Sequence, residues 1–212
     1  MEHLFRLHSP ISLFMKQLLE PEGPPGLFGY RSQAPDVRPK REITMIELDH
    51  NHKVLTGDGI EIERVFDAPV AKLWAAWTEP EVCMKWWGPK DFTSPVCRID
   101  FRLGGKYHSC MRSPEGQDFW STGVYREIVP LKRIVCTDSF ADENGNVIPA
   151  SSYGLVEEFP LELVVTLTFE ELAGKTKFTL RHLGLPAGET AEMTRVGWNQ
   201  SFDKLDDVLK QM

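Results

Sequence analysis

The chain has 212 residues, of which 42% are hydrophobic and 10% aromatic, and its formal net charge is −7. This composition excludes an intrinsically disordered chain, and no apolar run approaches the roughly 20 residues that a membrane-spanning helix needs. Residues 60–212 hold seventeen basic against twenty-three acidic side chains, a net −6, which disfavours nucleic acid as a partner.

The cysteines form no C-x-x-C pair, and the histidines are not spaced from them as zinc ligands usually are. We interpret Cys83, Cys97, Cys110 and Cys136 as reduced, mostly buried thiols and expect no metal site. The N-terminal sequence MEHLFRLHSP has neither the continuous apolar region nor the small-residue cleavage site of a signal peptide. We therefore expect a cytoplasmic protein.

The first part of the chain has no core of its own. A helical pattern over residues 10–20 ends at Pro21, and residues 21–41 are rich in Pro and Gly, as linkers are. We divide the chain into an N-terminal appendage (1–41), a connecting segment (42–58) and a main domain (59–212).

The appendage has three interpretations. It is a helix that docks on the main domain or on a partner, a disordered leader, or sequence upstream of a truer start such as Met45. The connecting segment contains Asp49-His50-Asn51-His52, whose two histidines would face one way on a strand and could bind a metal. Because no third ligand is nearby, we prefer a solvent-exposed turn.

The main domain begins with a strand, followed by residues 69–92, which hold four of the six tryptophans. Ile60 and Ile62 alternate with charged neighbours and predict the strand. A short amphipathic helix follows Pro69, because four apolar residues fall at i, i+3, i+4 and i+7. These residues are Val70, Leu73, Trp74 and Trp77.

A second short helix is predicted directly after the first. Thr78 followed three residues later by Glu81 has the spacing of a capping box, and Pro80 is acceptable in a first helical turn. The helix should end near Trp87, because Gly88-Pro89 stops it.

Six strand patterns follow without a helix between them. They cover residues 93–102, 106–111, 119–129, 133–140, 161–170 and 175–182. Short turn signals separate most of them, which predicts hairpins of an antiparallel meander. The one long gap, residues 141–160, contains Asp-Glu-Asn-Gly-Asn and two prolines, so we interpret it as a surface excursion.

A last helix of about 20 residues is predicted from Glu189 to Lys210. Trp198, Phe202, Leu205 and Leu209 form its apolar stripe, and Gly197 beside the stripe allows close approach to a sheet. The order β-α-α-β6-α predicts an α+β fold. We expect a seven-stranded, curled antiparallel sheet with the long C-terminal helix across its concave face, so that Trp198 is largely buried opposite Trp86 and Trp87.

A set of short motifs carries a resemblance to a known family. The motifs are RVFDAP (64–69), Trp74 with WTEP (77–80), WWGP (86–89), RLGG (102–105), GVYRE (123–127), TDSF (137–140), TFE (168–170) and GWN (197–199). Together they resemble the activator-of-heat-shock-protein-90-ATPase-like branch of the SRPBCC superfamily, which has the START/Bet v 1-like helix-grip fold. The match covers about residues 59–210 and leaves residues 1–58 outside.

This resemblance implies a deep, mostly apolar cavity between the sheet and the C-terminal helix. Members of the superfamily bind lipids, sterols or polyketides, and some are cyclases or hydrolases, so it does not imply one function. We expect the cavity to be lined by Trp74, Trp77, Trp86, Trp87, Phe101, Tyr107, Tyr125, His182, Trp198, Phe202 and Leu205.

No motif indicates a nucleophile or a bound cofactor. Gly-x-Ser-x-Gly and dinucleotide fingerprints are lacking, and residues 102–106 lack phosphate-loop spacing, so we expect no cofactor. Strand alternation could aim some polar side chains into the cavity. These are Arg98, Asp100, Tyr107, Tyr125, Asp138, Arg181 and His182. His182 is the best acid/base candidate, although a structural histidine is the preferred interpretation.

The leading hypothesis is a non-enzymatic carrier or sensor of a small apolar ligand that is lipid-like, aromatic or polyketide-like. One alternative is a protein-binding module that activates a chaperone ATPase, against which stands the lack of a recognisable second co-chaperone domain. Another is a hydrolase or cyclase that uses His182 in the same cavity. Whether the protein forms a homodimer is left open.

Overall fold

The computed structural model describes residues 47–48, 54–55, 59–155 and 159–212. Within the connecting segment, Glu47–Leu48 pairs antiparallel with Val54–Leu55. The predicted helix at 10–20, the linker at 21–41 and the His50/His52 pair lie outside the described residues.

One antiparallel sheet of seven strands forms the body of the domain. The strands are β1 (Gly59–Phe66), β2 (Thr93–Ile99), β3 (Lys106–Arg112), β4 (Asp118–Val129), β5 (Arg133–Ala141), β6 (Leu163–Leu172) and β7 (Lys175–Leu183). Their order in the sheet is β1-β7-β6-β5-β4-β3-β2. The last six strands are therefore a meander, and the first strand returns to pair with the last. The predicted α+β fold is confirmed.

The helices are α1 (Val70–Thr78), α2 (Pro80–Trp86) and α3 (Glu189–Gln211), with a 3-10 turn at Ala150–Tyr153. No helix in the described ranges is long and apolar enough to cross a membrane. The predicted capping box is wrong. Thr78 is the last residue of α1, and its hydroxyl donates back to the Trp74 carbonyl over 3.0 Å. Glu79 is the N-cap of α2 instead, and no side chain caps that helix.

The core lies between the concave face of the sheet and the helices α1 and α3. Phe66 of β1, Phe178 of β7 and Phe202 of α3 meet edge to face, with ring centroids 5.5 to 6.2 Å apart. All three side chains are fully buried, so each contributes roughly 1.5–3 kcal/mol of hydrophobic stabilisation. The predicted stripe of α3 therefore does face the sheet at Phe202.

Two polar contacts hold the segment after α1 against its neighbours. The buried indole N–H of Trp86 donates to the Ala76 carbonyl over 2.9 Å and so ties α2 to α1. The ammonium of Lys204 donates to the carbonyls of Gly88, Pro89 and Phe92 at 2.8 to 3.3 Å. The loop between α2 and β2 is thereby fixed to α3, and this loop forms one wall of the pocket described next.

Candidate functional site

A pocket of ≈ 220 Å³ lies between α3, the central strands and the loop after α2. Most of its lining is apolar. The apolar side chains include Trp87, Pro89, Phe92, Met111, Phe119, Phe140, Leu155, Phe159, Leu163, Leu185, Met193 and Trp198. The polar side chains at its wall are few, namely Asp138 and His182 with four serines and threonines: Ser121, Ser139, Thr194 and Ser201.

A second, smaller chamber of ≈ 50 Å³ lies deeper, between α1, α2 and the sheet. Trp87, Asp138 and Trp198 line both spaces, so these three residues form the partition between them. The smaller chamber is otherwise walled by side chains that include Trp77, Cys83, Cys97, Tyr107, Tyr125, Ile134, Cys136, Val165 and Leu167.

The residues predicted to line a cavity fall into four groups. His182 lines the larger pocket, Trp87 and Trp198 line both spaces, and Trp77, Tyr107 and Tyr125 line the smaller chamber. Five others line neither space. Trp86, Phe202 and Leu205 are fully buried in the core, while Trp74 packs on Phe101 and Phe169 at ring distances of 5.7 and 5.2 Å.

Trp198 is half-buried rather than largely buried. Its ring lies 5.5 Å from Trp87, 6.0 Å from Trp77 and 5.6 Å from Phe202. The helix phase predicted from the sequence therefore brings Trp198 against the tryptophans at the end of α2. Gly197 also lines the larger pocket, but it approaches Pro89 rather than the sheet, because an added Cβ would lie 3.6 Å from the Pro89 ring.

Sequence reasoning missed the far wall of the larger pocket. The segment after β5, interpreted as a surface excursion, folds back so that Leu155 and Phe159 line the pocket. Tyr153 anchors it: its hydroxyl donates to the Ala141 carbonyl over 2.8 Å and accepts the Trp120 N–H over 2.9 Å. The aromatic residues in this segment were the available signal, since a purely exposed loop rarely carries them.

The most polar part of the pocket is a row of side chains centred on Asp138 of β5. The Tyr107 hydroxyl donates to Oδ1 of Asp138 over 2.6 Å. On the other side, Nε2 of His182 lies 3.3 Å from Oδ2, without the alignment of a good hydrogen bond. Three alternate strands of the sheet, β3, β5 and β7, thus each contribute one member of the row.

The row continues onto α3 through Trp198. Its indole N–H donates to Nδ1 of His182 over 3.2 Å. An indole nitrogen is only a donor, so Nδ1 must carry a free lone pair, and the ring proton belongs on Nε2, next to Asp138. The contact with Trp198 thus selects the neutral Nε2–H tautomer of His182.

The protonation states follow from these contacts. Burial alone would raise the pKa of Asp138, but the close approach of His182 and the hydrogen bonds donated by Tyr107 and by the backbone N–H of Ser139 outweigh burial, and the pKa lies below its ordinary value. Burial raises the pKa of Tyr107 well above its ordinary value, and the charge of Asp138 adds to this effect. Asp138 is therefore an ionised acceptor, and Tyr107 a donor that keeps its proton.

The four cysteines are free and buried. A hydrogen bond between Cys83 and Cys97, together with burial, raises the pKa of the Cys83 thiol, and burial raises the pKa of Cys136. Cys83 and Cys136 are therefore poor nucleophiles, whereas the hydrogen bond with Cys83 lowers the pKa of Cys97. Across residues 59–155 and 159–212, moreover, no three His, Cys, Asp or Glu side chains are grouped so as to hold a metal ion.

A curled antiparallel sheet, a long C-terminal helix across it and an apolar pocket between them define a helix-grip domain. This class consists of ligand-binding domains. The sequence profile of the family described as "Activator of Hsp90 ATPase homolog 1-like protein" matches residues 67–210. The chain belongs to this family. No curated protein matches the chain.

Solved structures of bacterial proteins share the fold. Protein CV1439 from Chromobacterium violaceum is 28% identical, with a TM-score of 0.60 over 71% of this chain and 96% of its own. Protein NE0264 from Nitrosomonas europaea is 25% identical, with a TM-score of 0.58 over 72% of this chain and 94% of its own. The AHSA1 protein from Silicibacter pomeroyi has the same fold at 22% identity, with a TM-score of 0.59 over 73% and 99%.

Proposed function

We propose that the protein binds a small apolar molecule in the larger pocket and acts as its carrier or sensor. The observation that carries this proposal is the pocket itself, a space of ≈ 220 Å³ whose walls are mainly aromatic and aliphatic. Ligand sites of this kind combine apolar walls with a few placed polar groups. An apolar cavity of about 150 Å³ accepts benzene, so this pocket suits a ligand of one or two rings.

Pocket filling at Gly197 tests the proposal. Gly197 lines the pocket from α3, and a methyl group there meets only an ordinary contact with Pro89. Gly197→Ala therefore leaves most of the space open, whereas Gly197→Leu occupies part of it. Leucine and alanine are both good helix formers, so the two variants form a matched pair.

The measurement is the binding of a fluorescent naphthalene probe, with native mass spectrometry of the purified protein for a co-purified ligand. We expect the probe to bind wild type and Gly197→Ala, and to lose about tenfold or more in affinity in Gly197→Leu. Equal binding by both variants would locate the probe elsewhere and remove the pocket as the site. The free energy of unfolding of both variants serves as the control for folding.

The family match favours a second candidate, activation of a chaperone ATPase, because the family's description names that activity. The test is the steady-state ATPase rate of the chaperone with and without this protein. A stimulation that persists in Gly197→Leu would assign the activity to a surface rather than to the pocket. No stimulation would exclude this role.

Catalysis by His182 has less support. In the neutral Nε2–H tautomer the basic nitrogen is Nδ1, and the Trp198 N–H occupies it over 3.2 Å. A general base needs a free lone pair within reach of the substrate proton. A hydrolase or cyclase based on this imidazole would first have to break the contact with α3.

A further inference from the structure

We infer that the ligand is an apolar ring compound bearing a protonated amine, held by the Asp138 carboxylate and by the indoles of Trp87 and Trp198. This inference rests on the proposed function and names the chemical class of the ligand. It comes from the charge balance of the pocket.

Asp138 is the one ionised side chain among the described residues that line either chamber. Its neighbour His182 does not neutralise it, because the indole N–H of Trp198 occupies Nδ1 and leaves the imidazole uncharged. Lys204 lies behind the loop that forms one wall of the pocket. Its ammonium is directed to three backbone carbonyls of the loop after α2 and is not part of the lining.

The carboxylate is still accessible to a ligand. Tyr107 donates to Oδ1, His182 lies beside Oδ2 and the backbone N–H of Ser139 also donates to the carboxylate, yet the Asp138 side chain retains 22% of its exposure. A carboxylate has about four acceptor positions, so it can accept a further donor. In surroundings of low polarity, a charge-assisted hydrogen bond to an ammonium is stronger than one to a neutral hydroxyl.

The two tryptophans at the partition suit the same cation. The rings of Trp87 and Trp198 are 5.5 Å apart and nearly perpendicular, at 83°. Both indoles line the same two chambers as Asp138, so an ammonium next to the carboxylate lies near two rings of the type that attracts cations most strongly. The apolar part of the ligand would extend into the larger pocket, where Phe92, Phe119 and Phe140 lie.

The test uses three probes that share one ring system: 2-naphthylmethylamine, 2-naphthylmethanol and 2-ethylnaphthalene. Dissociation constants are measured by calorimetry at neutral pH, where the amine is protonated. With wild type we expect the amine to bind about 10- to 100-fold more tightly than the alcohol, which is the usual range for a hydrogen bond to a charged group. The ethyl compound should bind most weakly.

Asp138→Asn should remove the preference for the amine and leave the affinity for 2-ethylnaphthalene within about twofold, because the amide keeps the shape but not the charge. Asp207→Asn is the matched control. It removes one negative charge from the exposed side of α3, so it should leave the preference unchanged. If Asp138→Asn does not fold, the comparison of the three probes on wild type still decides the question.

The outcomes separate this inference from the proposed function. If the alcohol or the ethyl compound binds wild type as tightly as the amine, the inference falls and the apolar pocket stands. If none of the three probes binds, the proposed function falls with it. A preference for the amine that survives Asp138→Asn would also overturn the inference, because another group would then hold the ammonium.

Discussion

Trp198 and His182 join the C-terminal helix to the last strand through one hydrogen bond, 3.2 Å from the indole Nε1 to the imidazole Nδ1. The bond lies at the wall of the pocket, which both residues line. It does two things. It fixes the tautomer of a histidine that is only 4% exposed, and it directs the remaining ring proton toward Asp138.

Trp198→Phe should release this tautomer. Phenylalanine keeps an aromatic ring at the pocket but has no N–H, so Nδ1 of His182 loses its donor. We expect the nitrogen resonances of the His182 imidazole, measured by NMR, to indicate an unprotonated Nδ1 in wild type and a mixture of tautomers in the variant. An unprotonated Nε2 in wild type would contradict the geometry described above.

Asp138 should make stability depend on pH. Its pKa in the folded protein lies below the ordinary value, so its contribution to stability is complete above the unfolded-state pKa and is lost as the pH falls through the folded-state pKa. Wild type should therefore exceed Asp138→Asn in free energy of unfolding at neutral pH, and this difference should shrink as the pH falls below the ordinary aspartate pKa of about 3.9. Urea unfolding at a series of pH values measures it.

Comparison with Asp138→Asn is needed because other carboxyls also have lowered pKa values. Asp118 and Asp142 accept hydrogen bonds from Arg112 and Asn146 respectively. Wild type and Asp138→Asn share both of these carboxyls, so their contributions cancel in the comparison. A difference that stayed constant from neutral to acidic pH would mean that Asp138 titrates alike in the folded and unfolded chain. The network with Tyr107 and His182 would then be without effect on its charge.

Much of the fold was predictable because its signals are local. Ile60 and Ile62 alternate with exposed glutamates in β1 as the period of a strand requires, and glycine-containing turns mark most hairpins. The prediction of a capping box at Thr78 was wrong, and the reason is also local. The hydroxyl of Thr78 donates to the carbonyl of Trp74 one turn back instead of accepting an N–H of the next helix, which begins after Glu79.

The site was predictable only in part, because its walls come from distant parts of the chain. The helical stripes identified Trp77 and Trp198, because spacing on a helix indicates which side chains share a face, but residues of the same stripes such as Trp74 and Phe202 line neither chamber. The position of Tyr153 beside the pocket depends on a hydrogen bond to Ala141 and on ring contacts with Phe119 of β4 and Phe140 of β5. Nothing in its local sequence specifies those partners.

Gly123 of β4 gives Tyr107 its position. A Cβ at this residue would collide with the carbonyl oxygen of Thr137 and would lie 2.5 Å from Cε1 of Tyr107. Gly123→Ala should therefore displace the tyrosine from Asp138 and cost about 2–3 kcal/mol of stability, as overpacking of a core does.

Urea unfolding measures the loss of stability in Gly123→Ala, and the NMR spectrum of Tyr107 reports its displacement. Gly104→Ala is the control for replacing a glycine where there is space, because an added Cβ there meets no atom within 4 Å. This control still carries the cost of the positive φ of 75° at that residue. If Gly123→Ala were as stable as wild type, the strands would be able to separate at this point. Tyr107 would then not depend on the glycine.

The last prediction separates the pocket from the core along one helix, with Trp198 and Phe202 as a matched pair. Both lie on the stripe of α3 and their rings are 5.6 Å apart. Phe202 is fully buried and lines neither chamber, whereas Trp198 is half-buried and lines both. Phe202→Ala should therefore cost about 3–5 kcal/mol, as truncation of a buried aromatic ring does.

Trp198→Ala should cost less, about 2 kcal/mol, because its indole borders space that is already empty and so has fewer contacts to lose. The order should reverse for binding. Trp198→Ala should weaken a fluorescent naphthalene probe by about tenfold or more, since it removes a wall of the site, and Phe202→Ala should change the affinity by less than about threefold. Denaturant unfolding and probe titration on the same samples give both quantities. A large loss of stability with unchanged probe affinity in Trp198→Ala would make Trp198 a core residue, and the pocket would then have to be placed without it.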